Sequence, residues 1–251
     1  MPGGDPKARL RLDDALVKAG LAPSRARARD MVLRGTVTVD GAIAERPGRT
    51  IAADARIEAN DPASGYVSRA ALKLIAGLDP FGFDPAGLTV LDLGASTGGF
   101  TQVLLERGAA HVTALDVGHG QMAATLAGDR RVTLLEGVNA RDLTRRHLAG
   151  RAVQGITCDV SFISLKLALP PALALAEPGA WGVFLVKPQF EVGRADIGKN
   201  GLVARQRGKE AAKAIADWLG RQAGWSVTGM IASPVSGGAG NREYLLGARH
   251  G

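Results

Sequence analysis

The sequence predicts an α/β protein built on a doubly wound, mostly parallel sheet, preceded by a small α+β domain. From residue 68 onward, short apolar runs alternate with helical stretches, which indicates parallel strands joined by helices. Before residue 62 the pattern differs, because two short helices are followed by the signal of a β-hairpin. The polar segment 60–65 contains a proline and a glycine, and we therefore predict domains over 1–62 and 63–251.

The first domain is predicted to contain two helices and three short strands. Gly20 and Gly35 are placed to end the helices, and Ser24 is placed to cap the second one. The two-residue segment Asp40-Gly41 is typical of a hairpin turn. The predicted helices cover residues 10–19 and 25–34, and the predicted strands cover 36–39, a segment from 42, and 56–59.

The second domain is predicted to contain seven strands, preceded by a helix over 68–76. The strands are predicted over residues 89–93, 111–115, 132–135, 156–159, 182–186, 226–231 and 243–248, and further helices over 101–107, 167–176 and 207–223. Sheets of this kind bind ligands at the carboxyl ends of their strands, so residues that follow the strands are candidates for a functional site.

Composition excludes several classes of protein. The chain of 251 residues is 46% hydrophobic and 22% charged, as expected for a globular protein, and its net charge of +7 predicts an anionic partner. A single cysteine, Cys158, excludes a disulfide framework, and the four histidines lack metal-ligand spacing, so we predict no metal. The start of the chain is not apolar, and prolines interrupt the apolar segment 167–186. We therefore expect a cytoplasmic monomer with no membrane partner.

The sharpest local pattern lies in residues 90–100, where an apolar strand leads into a loop with three glycines. Their spacing, Gly-x-x-x-Gly-Gly, lets the backbone approach a ligand closely but differs from the dinucleotide fingerprint and from the phosphate-binding P-loop. Asp116 follows the next strand, where a carboxylate can bind a ribose diol. A turn that serves packing alone is the alternative, and the position of Asp116 disfavours it.

Six blocks of sequence resemble the AdoMet-dependent methyltransferase fold and, within it, the TlyA (hemolysin A) family of FtsJ-like 2'-O-ribose methyltransferases. They read SRAALKL (68–74), DLGASTGGF (92–100), ALDVGHGQM (114–122), CDVSFIS (158–164), VKPQFE (186–191) and GNREY (240–244). The resemblance implies methylation of cytidine ribose in 16S or 23S rRNA, with S-adenosyl-L-methionine (AdoMet) as the cofactor. The cofactor contacts that it implies are Asp92, Gly94, Ala95, Ser96, Gly98, Gly99, Phe100, Asp116, Val117, Asn139 and Asp159.

The same resemblance implies a catalytic set of Lys73, Asp159, Lys187 and Glu243. A ribose hydroxyl is a poor nucleophile at neutral pH, so its attack on the methyl group requires removal of a proton. Burial and a neighbouring cation lower the pKa of a lysine, which can then act as the base; alternatively, a charged lysine stabilises the developing alkoxide. Asp159 and Lys187 end apolar runs, which disfavours the interpretation that they are solvated surface charges.

Cys158 is a further candidate nucleophile, for methylation of a base, but a cysteine inside a predicted strand is more typical of a small buried hydrophobic residue. Two other functions remain as alternatives. The first is a ribosome-assembly factor without catalysis, which the complete catalytic set disfavours. The second is a membrane-active hemolysin, which the lack of an uninterrupted apolar span disfavours.

Residues 9 to about 60 resemble the alpha-L RNA-binding domain, through Arg11-Leu-Asp-Asp-Ala-Leu-Val and the segments 24–35 and 37–41. The arginines of the second helix cannot all be buried, so they are expected to face phosphates, although a solvated basic helix is the alternative. A second basic stretch, 187–213, borders the predicted catalytic residues. The predicted partner is ribosomal RNA or a ribosomal subunit, and the predicted RNA contacts are Arg11, Arg25, Arg29, Arg34 and Arg69.

Overall fold

The computed structural model describes residues 9–237 and 240–251. The chain divides into two compact units, Met1–Gly65 and Tyr66–Gly251. Among the described residues, no helix is both long and apolar enough to cross a membrane.

The first unit contains two short helices, a two-stranded sheet and a three-stranded sheet. Asp40 and Gly41 both adopt positive φ angles (52° and 80°), as a two-residue hairpin turn requires, and Ser24 caps the second helix by accepting a hydrogen bond from the Arg27 amide. The helices are α1 (Leu12–Lys18) and α2 (Arg25–Leu33), and the strands are β1 (Arg9–Arg11), β2 (Val37–Val39), β3 (Ala42–Ile43), β4 (Thr50–Ala52) and β5 (Ile57–Ala59). β1 pairs with β4, and the other sheet has the order β3-β2-β5.

The second unit is a seven-stranded sheet with helices on both faces, which confirms the predicted fold class. Its strands are β6 (Thr89–Leu93), β7 (His111–Asp116), β8 (Val132–Glu136), β9 (Gly155–Cys158), β10 (Trp181–Val186), β11 (Trp225–Ala232) and β12 (Tyr244–His250). Its helices are α3 (Ala71–Phe81), α4 (Gly99–Glu106), α5 (Ala124–Ala127), α6 (Leu165–Ala168), α7 (Pro170–Leu175) and α8 (Arg205–Leu219). The strand order is β11-β12-β10-β9-β6-β7-β8, and β12 runs antiparallel to both of its neighbours.

Two hydrophobic clusters cover opposite faces of this sheet. Successive residues of β10 alternate between them: Val183 and Leu185 belong to one cluster, and Phe184 and Val186 to the other. The cluster with Val183 also contains apolar side chains of α3, α4 and α5, whereas the cluster with Phe184 contains those of α6, α7 and α8. Burial on both faces explains why the strands read as continuous apolar runs in the sequence.

Some elements differ from the sequence prediction. The predicted helix 167–176 is two helices, because Pro170 lacks an amide hydrogen and begins a new helix instead of continuing α6. The strands β1 and β4 and the helix α5 were not predicted from the sequence. Each of these elements is only three or four residues long. Segments of that length are too short to show a hydrophobic period in the sequence.

The strand register brings the candidate residues to one edge of the sheet. Leu93 of β6 is paired with both Leu115 of β7 and Cys158 of β9, and Val186 of β10 is paired with Tyr244 of β12. Residues directly beyond these pairs therefore lie along the same edge. They are Gly94, Asp116, Asp159, Lys187 and Glu243.

Candidate active site

Gly94 lets two loops of the site pass close together. Its φ angle is +77°, and a Cβ atom added to it would lie 2.9 Å from the carbonyl carbon of Asp159 and 2.9 Å from the amide nitrogen of Val160. Because both contacts are with backbone atoms, no larger residue fits without moving a chain. The glycine-containing loop after β6 therefore lies directly against the loop after β9.

The Asp116 carboxylate accepts hydrogen bonds from the backbone of two loops, the one after β6 and the one after β7. One carboxylate oxygen accepts a hydrogen bond from the Ser96 amide (2.8 Å), and the other accepts one from the Gly118 amide (2.7 Å). Ser96 adopts a positive φ angle of 46°, which is uncommon for a residue other than glycine. Each carboxylate oxygen has two lone pairs, so Asp116 keeps acceptor capacity for a diol in the neighbouring cavity.

A cavity of about 840 Å³ opens at this edge of the sheet. Its volume is in the range of sites that bind drug-sized ligands. It contains six of the predicted cofactor contacts. The lining residues are Gly94, Ser96, Leu115, Asp116, Val117, Gln121, Val138, Asn139, Ala140, Arg141, Asp159, Val160, Ser161, Phe162, Ile163, Ser164, Leu167 and Phe190.

A smaller cavity of about 160 Å³ adjoins it. Gly94, Ser96, Asp159 and Ser161 line both cavities, so the two share a boundary. The smaller cavity contains the predicted cofactor contacts Ala95, Gly99 and Phe100 and the predicted catalytic residue Lys187. Its lining residues are Ser68, Ala70, Gly94, Ala95, Ser96, Thr97, Gly99, Phe100, Asp159, Ser161 and Lys187.

Lys187 meets three oxygen atoms at this boundary. Its Nζ lies 2.6 Å from Oδ1 of Asp159 as an ion pair, and it donates hydrogen bonds to Oγ of Ser161 (2.8 Å) and to the carbonyl oxygen of Asp159 (3.2 Å). The Lys187 and Asp159 side chains are 11% and 13% exposed. Two of these oxygens accept hydrogen bonds from Lys187, whereas Oδ1 of Asp159 accepts none from the described residues and contacts Lys187 as an ion pair alone.

Lys73 and Glu243 form a second ion pair, which is more deeply enclosed. Lys73 Nζ lies 2.6 Å from Glu243 Oε2, and the two side chains are 8% and 2% exposed. Lys73 projects from the first turn of α3, and Glu243 directly precedes β12. Neither residue lines either of these two cavities. The structure thus brings the four predicted catalytic residues together as two separate pairs.

Asp92 and Gly98, which were predicted to contact the cofactor, line neither of the two cavities found among the described residues. Asp92 is fully buried and accepts hydrogen bonds from the hydroxyls of Thr101 (2.7 Å) and Thr157 (2.9 Å). Burial raises the pKa of Asp92 to about 6, although the two threonine hydrogen bonds oppose the shift. Asp92 therefore ties α4 to the sheet beneath the loop.

The sequence prediction missed several residues of the cavities, among them Ser68, Gln121, Ser161 and Phe162. Phe162 is 90% exposed, has a φ angle of 65°, and packs against Phe190 with a ring-centre distance of 5.1 Å. All four lie inside sequence blocks that carry the family resemblance, and Ser161 and Phe162 lie two and three residues after the predicted strand end at Asp159. Their places in these blocks were the signal from which the sequence could have predicted them as cavity residues.

Two other types of chemistry have no support in the described residues. Cys158 is fully buried, and burial raises the pKa of its thiol to about 12, so a reactive thiolate does not form at neutral pH. Within residues 9–237 and 240–251, no group of three or more His, Cys, Asp or Glu side chains could hold a metal ion.

In the first unit, the predicted RNA contacts fall into different environments. Arg11 and Arg25 both pair with Asp13, whose side chain is fully buried, and the hydrogen bond from Arg11 is the main cause that lowers the pKa of Asp13 to about 2. Arg34 makes two hydrogen bonds to the buried carboxylate of Asp61 (2.7 and 2.8 Å). Arg29, in contrast, is exposed on α2.

The partly exposed Arg69 belongs to the second unit, where it precedes α3. In the second basic stretch, 187–213, Arg207 pairs with Asp196 and Glu210.

Comparison with known proteins agrees with this architecture. The model of the FtsJ-like methyltransferase family matches residues 66–250, and the model of the S4 domain matches residues 10–57. The 16S/23S rRNA (cytidine-2'-O)-methyltransferase TlyA of Mycobacterium tuberculosis is 43% identical over 96% of this chain and 90% of its own. Hemolysin A of Brachyspira hyodysenteriae is 37% identical over 94% of this chain and 98% of its own.

A solved, hemolysin-named structure from Streptococcus thermophilus is also similar, with 35% identity and a TM-score of 0.75 over 97% of this chain and 89% of that one. These matches confirm the resemblance that the six sequence blocks predict. The chain therefore belongs to the FtsJ-like methyltransferase family, within the group of relatives named TlyA and hemolysin A, and it carries an S4 domain before the methyltransferase domain.

Proposed function

We propose that this protein is an AdoMet-dependent 2'-O-methyltransferase that acts on cytidine ribose in ribosomal RNA. The observation that carries the proposal is the Lys187–Asp159 ion pair at the boundary of the two cavities. A charged pair at that position can engage a hydroxyl group that enters from the larger cavity. The name of the Mycobacterium tuberculosis relative supports rRNA cytidine as the substrate.

The residues around the cavities fit AdoMet. Asp116 would accept hydrogen bonds from the ribose of the cofactor, and the backbone at Gly94, which lines both cavities, would lie along the cofactor. Val117 and Asn139 would border the adenine end, and the smaller cavity would take the amino-acid end. When bound, AdoMet supplies a methyl group on a positively charged sulfur, so the protein has chiefly to align and activate the hydroxyl.

Lys187 and Asp159 would perform that activation. The ion pair with Asp159 and the two hydrogen bonds that Lys187 donates match its ammonium form, which suits a cation that stabilises the oxygen of the ribose as its proton leaves. Asp159 would accept that proton, because it lines both cavities and so lies where the hydroxyl would arrive. Lys73 and Glu243 would hold the start of β12 and α3 together behind the site.

The first unit, which contains the S4 domain and is called the S4 unit below, would hold the RNA. The basic stretch 187–213 would contact the RNA strand near the site. The exposed Arg29 is the S4 arginine that we expect to contact phosphate directly, whereas Arg34 would position α2 through Asp61. The exposed ring of Phe162 at the larger cavity offers a surface on which an unstacked base could stack. We further propose a cytoplasmic monomer with domains over 1–62 and 63–251.

The test is to offer labelled AdoMet with naked rRNA, separated subunits and whole ribosomes, and to map any modified nucleotide by mass spectrometry. We expect label in the ribose of a cytidine, and we expect assembled subunits to be the better substrate because RNA recognition depends on shape. Label in a base, or no label in any of the three substrates, would contradict the proposal.

Two further results would identify the alternative functions. Tight binding to subunits without methyl transfer would indicate an assembly factor. Leakage from lipid vesicles at low protein concentration without AdoMet would indicate a membrane-active protein.

A further inference from the structure

Ser161 and Asp159, the two partners of Lys187, both line the two cavities, and Ser161 is the more exposed of the two. Two of the three oxygens around Lys187 Nζ belong to Asp159. The hydroxyl of Ser161 is thus the one contact on Lys187, among the described residues, that comes from a second side chain.

Backbone contacts hold the chain just before Ser161 and at Lys187. The Asp159 amide donates to the carbonyl oxygen of Leu93 (2.9 Å), and the close approach at Gly94 leaves the chain at Asp159 and Val160 little room to move. At the other end, the carbonyl oxygen of Lys187 accepts a hydrogen bond from the Phe190 amide (2.9 Å). The 2.8 Å distance between Ser161 Oγ and Lys187 Nζ is therefore a property of the folded loops.

We propose that Ser161 is a positioning residue that holds the Lys187 ammonium group toward the cavity boundary, where the attacking hydroxyl arrives. Without the serine hydroxyl, both remaining partners of the ammonium would lie on Asp159, and the cation would turn toward that residue. The ammonium group would then point away from the position at which the ribose hydroxyl arrives. This inference rests on the proposed 2'-O-methyltransferase activity and assigns to Ser161 a role in the chemical step rather than in binding.

The test compares Ser161→Ala with Ser161→Thr, which keeps the hydroxyl and adds a methyl group on an exposed residue. We expect Ser161→Ala to lower kcat roughly 10- to 100-fold, as expected for loss of a hydrogen bond to a charged group, with the KM for rRNA and the Kd for AdoMet changed less than about twofold. Ser161→Thr should recover most of kcat. Ser226→Ala is the matched control, because Ser226 is an exposed serine on β11 outside both cavities.

Three results would overturn the inference: kcat for Ser161→Ala equal to wild type, equal losses in the alanine and threonine variants, or a higher KM with unchanged kcat. The last result would make Ser161 a contact for binding RNA. Thermal melting of each variant excludes loss of folding as the cause. If the wild-type protein methylates no rRNA, the proposed function itself fails and this inference with it, whereas an active wild type with an equally active Ser161→Ala variant defeats only the role of Ser161.

Discussion

The two lysine–carboxylate pairs have the same chemistry and the same 2.6 Å separation but different surroundings. Lys187 and Asp159 are partly exposed at the boundary of two cavities, and Ser161 supports them. Lys73 and Glu243 are almost fully enclosed and line neither of the two cavities that the described residues form. We infer that the four predicted catalytic residues have two roles: the pair at the cavities would touch the substrate, and the enclosed pair would support the site.

The difference in burial has an energetic consequence. Removing one partner of an enclosed ion pair leaves the other charge without compensation in a medium of low polarity, which costs folding free energy. The Lys187 pair lies at a cavity, where water can solvate a remaining charge. We therefore expect changes in the Lys187 pair to appear mainly in the rate of methyl transfer, and changes in the Lys73 pair mainly in stability.

The largest expected effect is that of Lys187→Ala on the rate. Removing this group should lower kcat by about 10²–10³, the usual range for loss of a group that stabilises charge in the transition state, while AdoMet affinity changes little. Methyl-transfer assays and calorimetry measure the two quantities. If Lys187 acts as a cation, Lys187→Arg should retain clearly more activity than Lys187→Ala. An arginine variant as inactive as the alanine variant would instead indicate that the lysine must lose its proton.

Glu243→Ala should mainly lower stability. Because the variant leaves the Lys73 ammonium buried without its partner, we expect the free energy of unfolding to fall by about 3–5 kcal/mol in urea titrations. Asp79→Ala is the control, since it breaks the exposed Arg107–Asp79 pair and should cost less than about 1 kcal/mol. Equal losses in the two variants would show that the Lys73–Glu243 pair is not distinguished by its burial.

Asp116→Ala should weaken AdoMet binding roughly 10- to 100-fold, because it removes the carboxylate proposed to bind the ribose of the cofactor and frees the amides of Ser96 and Gly118. Isothermal titration calorimetry gives the Kd directly. Asp196→Ala, at an aspartate paired with Arg207 outside both cavities, serves as the control. An unchanged Kd in a folded Asp116→Ala protein would remove this residue from the cofactor site.

Asp92 contrasts with both lysine–carboxylate pairs, since none of the described ion pairs includes it. Burial raises its pKa from 3.8 to about 6, so between these pH values the folded protein binds a proton that the unfolded chain does not. The contribution of Asp92 to the free energy of unfolding is therefore highest below about pH 4 and falls as the pH rises to 6, by on the order of 3 kcal/mol.

Asp92→Asn should abolish this part of the pH dependence, which urea titrations of both proteins between pH 4 and 7 would measure. Parallel pH profiles for the wild type and the variant would contradict the expectation.

The sequence predicted the sheet and the edge of the site because a buried strand leaves a continuous apolar run, and Asp159 and Lys187 mark where such runs end. It could not predict the pairing of the catalytic set, since the contact between Lys73 and Glu243 joins residues 170 positions apart. The only signal for Ser161 in the sequence is its place two residues after Asp159, inside the block 158–164.

The arginines of the S4 unit show the same limit. In the sequence, Arg29 and Arg34 are equivalent basic residues of one helix. In the structure, Arg34 donates two hydrogen bonds to Asp61, which lies 27 positions further along the chain, whereas Arg29 does not contact Asp61 in this way. A partner so distant in the chain becomes visible only once the chain is folded.

We propose that the cavity-lining Lys187, rather than the enclosed Lys73, acts on the substrate. Chemical rescue tests it most directly, because Lys187→Ala should leave a space that a small primary amine can enter from the cavities, whereas Lys73→Ala leaves one that is closed off. We predict that methylamine accelerates methyl transfer by the Lys187→Ala protein in a saturable manner and does not accelerate the Lys73→Ala protein. Rescue of the Lys73→Ala protein alone, or equal rescue of both, would contradict the account.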